Sequence, residues 1–166
     1  IVTTSSGEAN ATYLAKGCVG NDPVKVSALV NGKVINANAI VNVLPADVGS
    51  IEFISATPST IGIIGTGAVG GSEKSTILFK VLDRNGNPVK DSEVAFSLST
   101  SSGGIQLDPL LASTNAAGIV QTVVNSGSVA TTVRVNAIVV DSSPVVSTQS
   151  SVLVISTGIP DQDSMS

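Results

Sequence analysis

The sequence has no histidine, no tryptophan, a single cysteine and very few aromatic or charged residues. Without histidine it lacks the commonest general base, imidazole metal ligands and any Ser-His pair. The one thiol, Cys18, cannot form an internal disulfide, and we interpret it as chemically quiet. Aromatic residues make up only 2% of the chain, which disfavours a sugar-stacking surface.

Charges are also sparse, at 12% of residues with a formal net charge of −4. No basic cluster exists that could neutralise phosphates, so nucleic acid is not predicted as a partner. No apolar run approaches the roughly 18 residues of a membrane span. The N-terminus has neither a signal peptide's pattern nor an initiator Met. We therefore expect a piece of a longer chain, with any export signal outside it.

The residues that are abundant favour β-structure. The hydrophobic fraction of 42% comes mainly from Val, Ile and Ala, and branched side chains pack well on strands. Apolar residues alternate with period two in three clear runs, at Ile77 to Val81, Val94 to Leu98 and Val133 to Val139. Further strands are predicted at 51–55, 60–64, 105–107, 119–124 and 146–155, with Gly, Asn, Ser and Pro between them. The pattern predicts an all-β fold, a Greek-key β-sandwich.

An internal repeat sets the predicted domain boundaries. The segment "VKVSALV" at 24–30 matches "VRVNAIV" at 133–139 in residue type at every position, and flanking segments match at a similar offset. A spacing of about 110 residues indicates a tandem array of one domain type. We predict the C-terminal part of one repeat at 1–47, a complete repeat at 48–157, and a linker or the next repeat at 158–166. The preceding part of the first repeat is expected to cover its apolar strand faces.

Three glycines, Gly65, Gly67 and Gly70, stand in the spacing G-x-G-x-x-G after an apolar run. A dinucleotide site needs a helix directly after this turn, with its N-terminus facing the pyrophosphate. Only four residues separate Gly70 from the next predicted strand, too few for a crossover helix. We interpret the segment as a glycine loop, and no cofactor is predicted.

The segment "DRNGNP" places Asp83, Asn85 and Asn87 at the first three ligand positions of an EF-hand-like loop. Its sixth position is Pro88 instead of Gly and its twelfth is Val94 instead of Glu. We therefore favour a hairpin-type turn at Asn85-Gly86 and keep the three residues as weak calcium candidates. The nearest spare carboxylates for such a site at a repeat junction are Asp47, Glu52, Asp161 and Asp163.

No catalytic residues are predicted. Asp91 and Glu93 form the one notable local acidic pair, and we interpret them as a solvated strand edge, where charges discourage edge-to-edge pairing. No combination of nucleophile, base and orienting group is present, so we do not expect an enzyme.

Several motifs together resemble a known family. They are the strand ending at Asp83, "NGNPV" at 85–89, "VAFSL" at 94–98, Gly103-Gly104, and "TNAAG" at 114–118. The combination resembles the bacterial immunoglobulin-like domains of group 1, the stalk repeats of intimin and invasin adhesins. It covers about residues 50–157 strongly and 1–45 as a fragment.

The resemblance implies an Ig-like β-sandwich in tandem repeats on a bacterial surface or secreted protein. It implies a non-catalytic structural or adhesive role, with the repeats spacing a distal binding domain from the cell. Neighbouring repeats are the expected partners, with a host or cell-surface protein or glycan as a further one. The alternative is a ligand-binding or accessory module, for glycan or matrix protein, of a secreted protein or enzyme.

Overall fold

The computed structural model describes residues 7–15, 19–44, 46–66 and 71–157. The chain divides into two compact units, Ile1–Pro45 and Ala46–Ser166. Regular structure in the described residues is β, apart from one 3-10 turn at Ser102–Gly104. These residues contain no helix with the length and apolar character needed to cross a membrane.

The first unit is a single antiparallel hairpin of β1 (Gly20–Val30) and β2 (Lys33–Val43). Its turn is Asn31-Gly32, and both residues have positive φ, at 49° and 75°. Two consecutive left-handed residues fit a type I′ turn, for which Asn-Gly is the preferred pair because its twist matches that of the strands. Apolar side chains on both strands are exposed, including Val26, Leu29 and Ile40.

The second unit contains eleven strands among the described residues. In chain order they are β3 (Val48–Thr57), β4 (Thr60–Gly62), β5 (Lys74–Asp83), β6 (Glu93–Leu98), β7 (Gln106–Asp108), β8 (Leu111–Ser113), β9 (Ile119–Asn125), β10 (Thr131–Val133), β11 (Val135–Val139), β12 (Ser147–Gln149) and β13 (Leu153–Ser156).

The strands form two layers. One sheet has the order β3-β5-β9-β7 and is antiparallel throughout. The other layer combines β12-β11-β6-β8 with β10-β13-β4, in which β13 and β4 are parallel. Only Arg134 separates β10 from β11, so these two are successive parts of one strand. The predicted all-β, Ig-like sandwich is confirmed.

The core lies between the layers and follows the period-two pattern. Ile77, Phe79 and Val81 on β5 are fully buried, because alternate side chains of a strand point to the same face. The ring of Phe79 packs edge-on against Phe53 and stacks on Phe96, with centroids 5.9 and 5.8 Å apart. The opposite layer contributes a matching set of buried residues: Val133, Val135, Ala137, Val139, Leu153 and Ile155.

Two long predicted strands are interrupted in the structure. The run 133–139 breaks at Arg134, and the run 146–155 breaks at residues 150–152. Serine hydroxyls replace main-chain acceptors at both breaks. The Oγ of buried Ser150 accepts the main-chain N–H of Val135 at 2.9 Å, where a carbonyl would accept in a regular ladder. The main-chain N–H of Arg134 donates to Ser99 Oγ, also at 2.9 Å. The Arg134 guanidinium then donates to the Ser150 carbonyl at 2.8 Å. A short strand absent from the prediction, β8, pairs with β6 over three residues.

The second unit has two distinct ends. Val48 pairs with Asp83 at the C-terminal end of β5, and we call this end the first pole. At the other end of β5, Gly62 pairs with Ser156 and its N–H donates to the Ser72 carbonyl at 2.9 Å. We call that end the second pole. At about 3.3 Å per residue, the two poles lie about 30 Å apart along β5.

Candidate functional site

The residues that carried the calcium hypothesis form a tight turn at the first pole. The Oδ1 atom of Asp83 accepts the main-chain N–H groups of Asn85 and Asn87, both at 2.8 Å. Its Oδ2 atom accepts the side-chain amide of Asn87 at 3.2 Å and the N–H of Ala46 at 3.4 Å. Asp83 is 3% exposed, so its carboxylate is an internal acceptor that organises the turn.

These contacts also set the ionisation of Asp83. Burial disfavours the charged form and raises the pKa of the carboxyl. The hydrogen bonds from Asn87, Asn85 and Ala46 stabilise the carboxylate and outweigh burial, so the pKa of Asp83 lies below its ordinary value. The ionised group is therefore matched to N–H donors, which contact both of its oxygens.

The prediction of a hairpin-type turn is correct for the residues next to Asn85-Gly86, but not for the strands on either side of it. The N–H of Asp83 donates to the Asn87 carbonyl at 2.8 Å, and that of Val89 to the Val81 carbonyl at 3.1 Å. The chain then crosses to the other layer, because β5 and β6 belong to different sheets. The Asn85-Gly86 turn therefore marks a crossover between layers instead of joining neighbouring strands.

A second turn, "TNAAG", packs beside the first. Asn115 Oδ1 accepts the N–H groups of Ala117 and Ile119 at 2.9 and 3.0 Å. Gly118 has φ of +71° and donates its N–H to the Asn115 carbonyl at 2.9 Å. Its own carbonyl accepts from Val81 at 2.8 Å, which ties this turn to the end of β5. Two of the motifs behind the family resemblance, "NGNPV" and "TNAAG", thus form one structural corner.

Thr114 fixes the adjoining loop. Its hydroxyl donates to the Val89 carbonyl at 2.6 Å and accepts the N–H of Ser92 at 2.9 Å. The threonine is 2% exposed, so these bonds satisfy main-chain groups that water does not reach. Sequence reasoning flagged Thr114 only as part of a motif. The signal that could have found its role was a hydroxyl at the start of an Asn-x-x-Gly turn.

A shallow cleft of about 380 Å³ opens at the first pole. Its lining includes Asp47, Val48, Ser92, Val139 and Asp141. Asp47 is highly exposed and lies 3.9 Å from the Arg84 guanidinium, too open a pair to add much stability. In the described part of the chain no three His, Cys, Asp or Glu side chains gather into a group that could hold a metal ion.

The other candidates lie apart from this pole or outside the described residues. Of the three loop glycines, Gly65 has φ of +84° and donates its N–H to Glu73 Oε1 at 2.9 Å. Gly67 and Gly70, like Cys18, Asp161 and Asp163, lie outside the described residues. The next regular element after the glycine loop is the strand β5, which begins at Lys74, one residue earlier than predicted.

The acidic pair Asp91 and Glu93 is exposed, but its predicted place at a sheet edge is wrong. Glu93 opens β6, and β6 pairs with β11 on one side and β8 on the other. The prediction failed because a three-residue partner such as β8 leaves no periodic signal in the sequence. Glu52, the remaining spare carboxylate, is an exposed residue on β3 that faces Lys80 in the register.

No protein-family model matches the chain, and no curated protein sequence matches it. Among solved structures it is similar to the D0-D1 domain of intimin, with 20% identity, a TM-score of 0.48, and coverage of 82% of this chain and 64% of that one. For the D00-D0 domain of intimin the values are 17% identity, a TM-score of 0.49, and coverage of 92% and 76%.

The chain is also similar to the Yersinia pseudotuberculosis adhesin InvE, with 13% identity, a TM-score of 0.50, and coverage of 83% of this chain and 49% of that one. It therefore spans about half the length of the InvE structure. At sequence identities this low, structural similarity is evidence for a shared fold. The chain has an immunoglobulin-like β-sandwich fold of the intimin and invasin type, as the sequence motifs predicted.

Proposed function

We propose that this chain is a non-catalytic segment of a bacterial surface adhesin, in which Ig-like units joined end to end hold a distal binding domain away from the cell. The observation that carries the proposal is the polarity of the second unit. The chain begins this unit at the first pole, where Val48 pairs with Asp83. It leaves at the second pole, where Ser156 pairs with Gly62. Each unit of this kind extends the chain by about its own length.

The hydrogen bonding at the two poles supports a mechanical role. At the first pole, Asp83 binds the N–H of Ala46, so the first residue of the unit is tied to the turn after β5. At the second pole, the N–H of Ile63 donates to the Ser156 carbonyl at 2.9 Å. Both ends of the described part of this unit are thereby anchored to the sandwich.

The hairpin of the first unit supports the tandem arrangement. Val24, Val26, Ala28 and Val30 on β1 correspond in sequence to Val133, Val135, Ala137 and Val139, which form a buried face in the second unit. We propose that residues 1–47 are the C-terminal hairpin of a preceding Ig-like repeat and that residues 158–166 begin a linker or a further repeat. An apolar strand face of this kind is stable when a second sheet packs on it.

The absence of catalysis is part of the proposal. The described residues offer acidic side chains that are isolated, such as Glu52, or engaged in turns, such as Asp83. The clefts on the second unit, of about 380 and 430 Å³, are open and contain no paired nucleophile and base among their lining residues. In this proposal the fold contributes length and rigidity, and a different domain of the same protein carries the binding activity.

A second candidate is direct binding of a matrix or cell-surface protein by this segment. One observation favours a protein over a glycan: Leu111, Ala95 and Ile138 lie side by side in register across β8, β6 and β11. Leu111 and Ile138 are 48% and 42% exposed, so they form a small apolar row on the outer face of this layer. Absence of binding to matrix-protein and glycan arrays at high micromolar concentration would exclude this candidate.

The spacer proposal is tested by small-angle X-ray scattering from two copies of residues 46–157 in tandem. We expect a maximum dimension of roughly twice that of one copy, because the units join at opposite poles. A matched sample with a long Gly-Ser linker between the copies should give a broader distance distribution. A compact particle with a maximum dimension close to that of one copy would contradict the proposal.

A further inference from the structure

The chain contains two Asn-Gly dipeptides, Asn31-Gly32 at the tip of the β1–β2 hairpin and Asn85-Gly86 in the turn after β5. Both asparagines are exposed, and both glycines have positive φ, at 75° and 83°. Because glycine has no Cβ to shield its main-chain nitrogen, Asn-Gly is chemically labile. We propose that Asn31 is a site of spontaneous deamidation and that the fold protects Asn85 from the same reaction.

The reaction needs no reagent other than water. The main-chain nitrogen of Gly32 attacks Cγ of Asn31, so a new N–Cγ bond forms and the bond from Cγ to the side-chain nitrogen breaks. The amide proton of Gly32 leaves with that nitrogen as ammonia, and a five-membered succinimide remains. Water then opens the ring at one of its two carbonyls and gives aspartate or isoaspartate. One water is consumed and one ammonia is released.

The structure around Asn31 does not hinder succinimide formation. The attack requires rotation of the Asn31-Gly32 peptide, so its rate depends on how often the turn opens. Within the described ranges, no hydrogen bond is made by the Gly32 N–H. In this chain the flanking pair Val30 and Lys33 is exposed, so opening the tip of the hairpin breaks no packing of these two side chains.

Asn85 has the same chemistry in a much more restrained turn. The attacking nitrogen would be that of Gly86, and its N–H is held by the Asp83 carbonyl at 3.0 Å. The neighbouring N–H groups of Asn85 and Asn87 are held by the buried Asp83 carboxylate, both at 2.8 Å. The peptide can rotate only after these bonds break, and each contributes to the free energy of opening.

The reaction at Asn31 would change the hairpin in two ways. The new carboxylate adds a negative charge to a chain whose formal net charge is −4. Isoaspartate also adds a methylene to the main chain within a two-residue turn, which sets the Val30-Lys33 register. Deamidation therefore adds a charge at the tip of the β1–β2 hairpin and weakens the pairing of the strands next to the turn.

The test compares the two sites within one molecule. The full chain is incubated at mildly alkaline pH, digested, and analysed by mass spectrometry for deamidated and isoaspartyl peptides; a parallel sample is incubated in denaturant. In the folded chain we expect Asn31 to react at least about tenfold faster than Asn85. In denaturant the two rates should agree to within about twofold, since both sites are Asn-Gly. Similar rates in the folded chain, or faster reaction at Asn85, would overturn the proposal.

The variant Asp83→Ala tests the cause of the protection, and Asp91→Ala is its matched control. Once circular dichroism shows that both variants are folded, Asp83→Ala should accelerate reaction at Asn85 about tenfold and leave Asn31 unchanged. Asp91→Ala should change neither rate, because the exposed Asp91 carboxylate contacts Lys90 and not the Asn85 turn. An unchanged Asn85 rate in folded Asp83→Ala would overturn this explanation. If Asp83→Ala does not fold, the proposal is still decided by the unmutated chain, through the rates at Asn31 and Asn85 in the folded state and in denaturant.

Discussion

A β-carbon added to Gly118 would lie 2.6 Å from the carbonyl oxygen of Val81, closer than any side chain tolerates. Gly118 also has φ of +71°, a region that costs L-residues about 1 kcal/mol. The corner between the "DRNGNP" and "TNAAG" turns therefore depends on a residue without a side chain. Because Gly118 also bonds to Val81, its close approach locks the end of β5.

Gly118→Ala is expected to lower the free energy of unfolding by about 3 kcal/mol, from the left-handed conformation and the contact with Val81. Gly104→Ala is the matched control, because Gly104 has a similar φ of +79° but no atom within 4 Å of the added carbon. It should cost only about 1 kcal/mol. Urea denaturation of the two variants measures the difference, and equal losses would show that the contact with Val81 is unimportant.

Gly127 tests close packing without the conformational effect. Its φ is not in the left-handed region, yet an added β-carbon would overlap the Gly103 carbonyl oxygen. Gly127→Ala should therefore destabilise the second unit by about 2 kcal/mol. Gly71→Ala is the control, since its nearest atom is 3.9 Å away, and it should change stability by less than about 0.5 kcal/mol. A thermal melt in which the two variants behave alike would refute this packing.

Removing the charge of Asp83 should make stability less dependent on pH. The folded-state pKa of Asp83 lies below its ordinary value of 3.8, so the carboxylate stabilises the fold above that pH and loses this contribution as the pH falls through the folded pKa. Asp83→Asn should cost about 2 kcal/mol at neutral pH, because the amide places N–H groups opposite N–H donors. The deficit should shrink below about pH 4, as the wild-type carboxylate protonates.

Denaturant unfolding at neutral pH and at about pH 3 measures this effect. Asp91→Asn is the control, because Asp91 is exposed and lies 3.2 Å from Lys90 Nζ. It should change stability by no more than about 0.5 kcal/mol at neutral pH. A deficit for Asp83→Asn that stays constant as the pH falls would contradict the assignment of Asp83 as an ionised internal acceptor.

Thr114→Val keeps the shape of the side chain but removes its hydroxyl. Val89 then loses a donor to its carbonyl and Ser92 loses an acceptor for its N–H, both in a buried setting. We expect a loss of about 2–3 kcal/mol in the free energy of unfolding. Thr132→Val, at an exposed position on β10, should be within about 0.5 kcal/mol of wild type. If both variants match wild type in calorimetry, the Thr114 hydroxyl has no structural role.

The strands with alternating apolar residues could be predicted from the sequence, because burial on one face imposes a period of two. The run Ile77, Phe79 and Val81 is an example, and all three are buried. The breaks at Arg134 and Ser150 could not be predicted this way. They depend on the hydroxyls of Ser99 and Ser150, which replace main-chain acceptors across 35 and 15 residues of sequence, and no local pattern encodes that pairing.

The turn residues show a similar division. Asn85-Gly86 correctly predicts a tight turn, because the residue types set the local conformation. The sequence around Asp83 equally suits a calcium loop and an internal acceptor, since both use a carboxylate followed by asparagines. The role of Asp83 as an internal acceptor is visible only in the three-dimensional arrangement, in which Ala46 and Asn87 direct their donors at its carboxylate. Calcium binding by Asp83, Asn85 and Asn87 remains an untested prediction.

The proposed end-to-end array requires the chain to enter and leave the second unit at opposite poles. Residues 46–157 contain no native cysteine, so spin labels can be placed at Asp47→Cys and Thr157→Cys alone. Pulsed electron paramagnetic resonance should give a narrow distance distribution centred at about 30–40 Å, the length of β5 plus the label linkers. A distance below about 20 Å would place both ends at one pole and contradict an end-to-end array of these units.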